Sequence, residues 1–256
     1  LSGFGKFKYG NGDHYEGMWE NAQQVGIGHG RMTFSMGVFE GEFLNGTPNE
    51  KGFMRYNNNE FYTGSWLTGK RQGYGKMEYA SGERYEGDWD NDMRRGQGTS
   101  TYTDGSSYTG EWFNDNREGL GKLLFKNGDY YDGNWLRDHK HGYGKGVHHF
   151  TNGDRYEGEW LNDYFHGYGT INYADGSIYE GTWQHSKRDG LGKMTFPNND
   201  YYDGQWRNDV RVGQGHGLLH FDNGDKYEGW WSNGLRNGKG KYTLADGGSY
   251  DGDWVE

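Results

Sequence analysis

An aromatic-x-Gly-x-aromatic motif recurs eleven times along this chain: Tyr15/Gly17/Trp19, Phe39/Gly41/Phe43, Tyr62/Gly64/Trp66, Tyr85/Gly87/Trp89, Tyr108/Gly110/Trp112, Tyr131/Gly133/Trp135, Tyr156/Gly158/Trp160, Tyr179/Gly181/Trp183, Tyr202/Gly204/Trp206, Tyr227/Gly229/Trp231 and Tyr250/Gly252/Trp254. Successive copies start 23 to 25 residues apart, and ten of the eleven tryptophans close a motif. A motif on such a period obliges the chain to fold as a stack of like units, each burying its apolar face on its neighbours. The core material must be aromatic. Leu, Ile, Val and Phe together number only 35 of 256 residues, whereas there are 46 aromatic residues and 49 glycines. A net charge of −10 over this length is too weak a field to favour disorder.

Each unit has a second half. After the tryptophan comes a turn-rich stretch, then Gly-x-Gly, then an aromatic residue four positions on, as in Gly73-Tyr74-Gly75 with Tyr79. Period-two alternation with turn signals every 11 or 12 residues predicts two short strands per unit and no helix. Side-chain parity selects the hairpin register. A three-residue loop Ala80-Ser81-Gly82, with Gly82 left-handed as in a G1 bulge, pairs Met77 with Tyr85, Gly75 with Gly87 and Gly73 with Trp89. Every ring and small residue then shares one face. The same register sets Lys6 across from Glu16, Lys76 from Glu86, Lys122 from Asp132, Lys193 from Asp203, Lys241 from Asp251 and Thr99 from Thr109 on the reverse face. The positive-φ position holds Gly in nine units and Asn in two, Asn59 and Asn199. At Met36-Gly37 a two-residue loop is expected to pair Phe34 with Phe39. The units with Gly26-x-Gly28-x-Gly30, Gly142-x-Gly144-x-Gly146 and Gly213-x-Gly215-x-Gly217 each gain two residues, an even change that keeps the faces and is expected to bend the array or form a local feature.

The expected fold is therefore all-β: an elongated, twisted and grooved single-layer antiparallel sheet of about 11 stacked hairpins, one continuous array over residues 1–256 with an incomplete unit at each end, as in a piece of a longer protein. About 22 strands at roughly 4.8 Å each would run about 105 Å. The aromatic face is the expected partner-binding groove, with Tyr85, Trp89, Tyr108, Trp112, Tyr131, Trp135, Tyr156, Trp160, Tyr179 and Trp183 as its candidate contacts. Met77, Leu123, Met194 and Leu219 would add adaptable contact area. Gly87, Gly110, Gly133, Gly158 and Gly181 are expected to be structural, leaving room for the rings.

Other chemistries find little support. With no cysteine there is no disulfide framework and no thiol nucleophile. No apolar run approaches the ~18 residues of a membrane helix. Asn45-Gly-Thr matches a glycosylation pattern by chance. His139-x-His141 with His148 and His149 has no third ligand at a defined spacing, so no metal is expected. The Gly-x-Gly elements precede strands rather than helices and offer no helix N-terminus to a phosphate, so no cofactor is expected. The carboxylates Glu86 and Asp132 repeat with lysines opposite, which reads as an ion-pair ladder rather than a matched acid and base. The acidic balance disfavours nucleic acid and anionic lipid as general partners.

The unit Tyr62-Thr-Gly-Ser-Trp-Leu-Thr-Gly-Lys-Arg-Gln-Gly-Tyr-Gly-Lys closely resembles the MORN (membrane occupation and recognition nexus) repeat, and the resemblance spans residues 3 to 254. The chain departs from it at Phe39 and Phe43, at Glu50 in place of the first Gly of Gly-x-Gly, and in the three longer units. The resemblance implies a non-catalytic interaction scaffold docking partner proteins; the open sheet edges at the two ends of the array offer self-association as a further route. It also implies a cytoplasmic, cytoskeleton-associated setting such as a cilium or flagellum axoneme with radial-spoke-type members. The sheet's carboxylates suit partner segments that are basic and amphipathic. Two alternatives stay open: a phospholipid-associating module, and a regulatory arm of an enzyme whose catalytic domain lies outside this segment.

Overall fold

Two kinds of turn alternate along the chain, and between them they set its strands. A computed structural model describes residues 2–20, 23–24, 28–212 and 217–255. The glycines at 26, 213 and 215 in the longer units lie outside the described residues. In the first kind of turn, the Tyr79 amide donates to Glu83 O and the Gly82 amide donates to Tyr79 O, both at 2.9 Å, with Gly82 at φ +93. Asn59 and Asn199 do the same at φ +67. The second kind follows the closing ring of the motif and, among the described residues, has two central residues at positive φ, such as Asn91 and Asp92, Asn114 and Asp115, Asn162 and Asp163, or Asn208 and Asp209. Positive φ at both positions is what a type I′ turn requires, and its twist matches that of the strands it joins. Every described strand pairing is antiparallel, and there is no helix among the described residues.

The chain divides into two compact units, residues 1–126 and 127–256. Unit 1 is an antiparallel sheet running from Gly3–Lys8 to Asn116–Leu124, and unit 2 runs from Tyr130–Leu136 to Ser249–Val255. Within each, neighbouring strands are hairpin partners. The register places Met77 opposite Tyr85, Gly75 opposite Gly87 and Gly73 opposite Trp89. Lys6 lies opposite Glu16, Lys193 opposite Asp203, Lys241 opposite Asp251 and Thr99 opposite Thr109.

One expected pairing is corrected. The short hairpin turns at Ser35-Met36, so Phe34 faces Gly37, while Phe39 faces Met32. The reason is the common register: each motif-opening ring sits across from the apolar residue of the preceding strand, as Tyr85 does from Met77. Phe34 and Phe39 still share a face, because the shift is by two residues in their summed positions.

The glycine strands carry a bulge. Arg94 pairs with Trp89 and Gly98 with Gly87, so three residues oppose Asp88 alone. Gly96 takes φ +74 there, and the Asp88 carboxylate accepts the Gln97 amide at 3.1 Å. Glu111 accepts the Leu120 amide in the same way. Glu50, which departs from glycine at this position, is held at φ +56. In the Gly142-x-Gly144-x-Gly146 unit, Gly142 faces Trp160 and Gly146 faces Gly158, and the intervening residues push Tyr143 out to 90% exposure.

Candidate interaction surface

The motif tyrosine folds back over glycine. A Cβ added to Gly87, Gly110, Gly133, Gly158 or Gly181 would come closer than any real Cβ contact to the facing glycine or to the neighbouring tyrosine ring. These five glycines therefore hold two strands and a ring together by having no side chain. The Tyr85 hydroxyl donates to Asp88 O at 3.0 Å, and the Trp89 indole N–H donates to Gly75 O at 3.3 Å. The same two bonds recur in units that carry Tyr and Trp, for example from Tyr156 to Glu159 O and from Trp160 to Gly146 O. Each buried ring thus has its polar end satisfied within the sheet.

The rings then fill one another's edges. Tyr85 meets Trp89 at 5.1 Å and Trp112 at 5.4 Å, both edge to face, and Tyr179 meets Trp183 at 5.0 Å and Trp206 at 5.4 Å. Burial pushes the phenols of Tyr62, Tyr85, Tyr131, Tyr156 and Tyr179 well above the ordinary tyrosine value, and that of Tyr202 to about 12. The consequence for the expected groove is direct. None of Tyr85, Trp89, Tyr108, Trp112, Tyr131, Trp135, Tyr156, Trp160, Tyr179 and Trp183 is more than 5% exposed. They form the core of the sheet, and their faces are already taken by neighbouring rings. Met77, Leu123 and Met194 are buried with them, across from the tyrosines, and so offer a partner no contact area.

Cations close this face. The Arg94 guanidinium lies 4.1 Å from the Trp112 ring centre and 5.6 Å from that of Tyr85. Arg71 covers Trp89 and Arg188 covers Trp206 at 4.2 and 4.4 Å. Each arginine is tied to the next I′ turn: Arg94 Nε donates to Asp115 Oδ1 at 3.1 Å and its Nη2 donates to Asp115 O at 2.8 Å. Lys140 takes this place over Trp160, and Phe165 stacks on Tyr156 at 3.7 Å. The sequence carries a signal for this lid that parity reasoning passed over: Arg71, Arg94, Arg117, Arg188 and Arg236 each stand two residues before the first glycine of Gly-x-Gly.

The reverse face is where the open surface lies. The ion pairs are there, Lys6 with Glu16 at 3.1 Å and Lys76 with Glu86 at 2.9 Å. Beside them runs a second missed feature, the middle residue of Gly-x-Gly. In unit 1 this places Phe4, Tyr74 and Leu120 in solvent, and in unit 2 Tyr143, Tyr168 and Leu191, all more than half exposed. Hydrogen bonding to Glu86 raises the Tyr74 phenol, and the hydrogen bonds from Tyr74 and Lys76 hold the Glu86 carboxyl below its ordinary range. Open depressions lie on this face, one of about 670 Å³ in unit 1 beside Tyr74, Glu86 and Thr99. Another, of about 450 Å³, lies in unit 2 beside Tyr143, Glu157 and Tyr168. His139 Nδ1, in the short strand His139–Lys140, sits 2.7 Å from Asp163 in the next turn, and no group of three or more His, Asp and Glu that could hold a metal ion occurs among the described residues.

Stacked two-turn hairpins with a glycine-seated ring ladder define a class of β-repeat protein. The MORN repeat profile matches eleven consecutive segments: 1–14, 15–38, 39–60, 62–84, 85–107, 108–130, 131–155, 156–178, 179–201, 202–226 and 227–249. The chain belongs to the MORN-repeat family. No curated protein matches the sequence. Among solved structures it is similar to the TCP10 domain of Danio rerio CPAP in complex with a STIL peptide, at 9% identity and TM-score 0.43 over 98% of this chain and 100% of that one. It is also similar to the Drosophila melanogaster SAS-4 TCP domain in complex with a proline-rich motif of Ana2, at 13% identity and TM-score 0.34 over 78% and 88%. A streptogramin B lyase matches at TM-score 0.16 and 9% identity, over 99% of this chain and 83% of that one. Scores this low say nothing about what the present chain binds.

Proposed function

We propose that this chain is a non-catalytic protein-interaction scaffold that docks partner segments on the reverse face of its sheets. The observation that carries the proposal is the exposed column at the middle of Gly-x-Gly: Phe4, Tyr74 and Leu120 in unit 1, and Tyr143, Tyr168 and Leu191 in unit 2. Large apolar side chains that recur at this position on an open sheet face, interspersed with Lys51, Gln97 and Lys239 and rimmed by carboxylates, suit partners with basic, amphipathic segments. Membership of the repeat family supports the scaffold role, and a cytoskeletal setting such as a ciliary or flagellar axoneme is proposed on that ground alone. The test is proximity labelling in the native cell with the wild-type chain and with a Leu120→Ser/Leu191→Ser variant. The variant should keep its melting transition and lose a defined set of labelled proteins. An unchanged set would remove the reverse face from the proposal.

A further inference from the structure

In unit 2 the longer glycine segment changes the reverse face locally. Tyr143 stands on the bulge between Gly142 and Gly146 and is more exposed than its counterparts Tyr168 and Leu191. It lines one depression together with Tyr168, and three carboxylates line it too: Glu157, Glu159 and Glu180. One lining residue, Arg155, is a cation, and its Nη2 is 2.6 Å from Glu157. Tyr168 donates its hydroxyl to Glu180 at 2.7 Å, which fixes that ring beside the carboxylate. Among the described lining residues there are thus three acids and one base, on an open face whose floor includes Gly158 and Gly169.

Resting on the scaffold reading, we propose that this depression takes the side chain of an arginine carried by an extended basic segment of a partner protein. Charge complementarity names the cation. Two phenol rings beside the carboxylates favour a planar guanidinium, which can stack on a ring face and fork its N–H groups onto an acid, over a compact ammonium. The depression is open rather than enclosed, so the arginine arrives on a chain lying across the sheet, with neighbouring residues meeting the exposed column. The position of Tyr143 is what distinguishes this site, and the two extra residues of the Gly142-x-Gly144-x-Gly146 unit are what put it there.

Fluorescence anisotropy on the whole chain at physiological salt tests this with a labelled, capped peptide Gly-Ser-Thr-Arg-Thr-Arg-Thr-Ser-Gly and its Lys and Gln counterparts. The arginine peptide should bind at least about 3-fold tighter than the lysine peptide and about 10-fold tighter than the glutamine peptide. Tyr143→Ser and Glu180→Gln should each weaken it at least about 5-fold without shifting the melt, while Glu16→Gln in unit 1 leaves it unchanged. Equal binding of the glutamine peptide, undiminished binding by both unit 2 variants, or an equal loss with Glu16→Gln would overturn the site. Proximity labelling separates the two levels. A labelled set lost by Leu120→Ser/Leu191→Ser but unaffected by Tyr143→Ser rejects the arginine site and leaves the scaffold standing, whereas a set unaffected by either rejects both.

Discussion

Gly87 and Glu86 are neighbours in sequence and opposites in consequence. A Cβ at Gly87 would press on the backbone of Gly98 and on the Tyr85 phenol, neither of which can yield without opening the strand pair. Gly87→Val should therefore lower stability by about 3 kcal/mol in a denaturant melt. Glu86→Ala removes an exposed cross-strand partner and should cost only a small fraction of that; similar losses from the two would contradict the assignment of faces. Glu50 gives the reverse case. Its φ of +56 is a conformation that costs an L residue roughly 1–2 kcal/mol, so Glu50→Gly should raise stability by about 1 kcal/mol. His148 is buried, stacked on Phe150 at 4.3 Å, and its pKa is driven down to about 4, mainly by burial and also by Lys140, against the pull of Asp129. Its folded value lies below its unfolded value, so the unfolded chain binds more protons between about pH 6.5 and 4. Stability should fall as pH drops through that window, and His148→Phe should flatten the slope there. An unaltered slope in urea melts at several pH values would show that His148 is not its source.

At the scale of the hairpin, the arginine lid and the turn behind it act together. Arg94 covers Trp112 with its guanidinium and is held by the backbone and side chain of Asp115, a residue already constrained by its I′ turn. Arg94→Ala should therefore cost about 1–2 kcal/mol and shift tryptophan emission to the red, because it uncovers a ring as well as deleting a charge. A melt indistinguishable from wild type would mean that the lid contributes no stability. The hairpins themselves were legible in the sequence, since Gly or Asn at the positive-φ position and matched lysine and acid pairs both follow from one register. The lid was not, because it joins the arginine of one repeat to the aspartate of the next turn, a pairing 21 residues apart that no within-hairpin rule reaches.

At the scale of the whole molecule, each unit depends on a run of neutral phenols packed edge to face with indoles. Their folded pKa values lie above that of an exposed tyrosine, so the stability they carry is complete below about pH 10 and lost as pH rises beyond it. In an alkaline titration the exposed tyrosines should ionise first, and the remaining tyrosinate absorbance should appear together with loss of the sheet's circular dichroism. Ionisation of all tyrosines near the ordinary value with the sheet intact would show that the rings are not buried. By itself, the sequence determined the repeat, the strand register in all but the short Ser35-Met36 hairpin, and the side of the sheet on which the paired residues fall, because turn chemistry and two-residue periodicity are local properties. Only the tertiary structure decided which of the two faces stays open. A ring's exposure depends on what the neighbouring repeats lay against it, and the paired glycines let tyrosine, tryptophan and arginine from successive repeats close over one another, leaving the open surface to the middle residues of Gly-x-Gly on the other side.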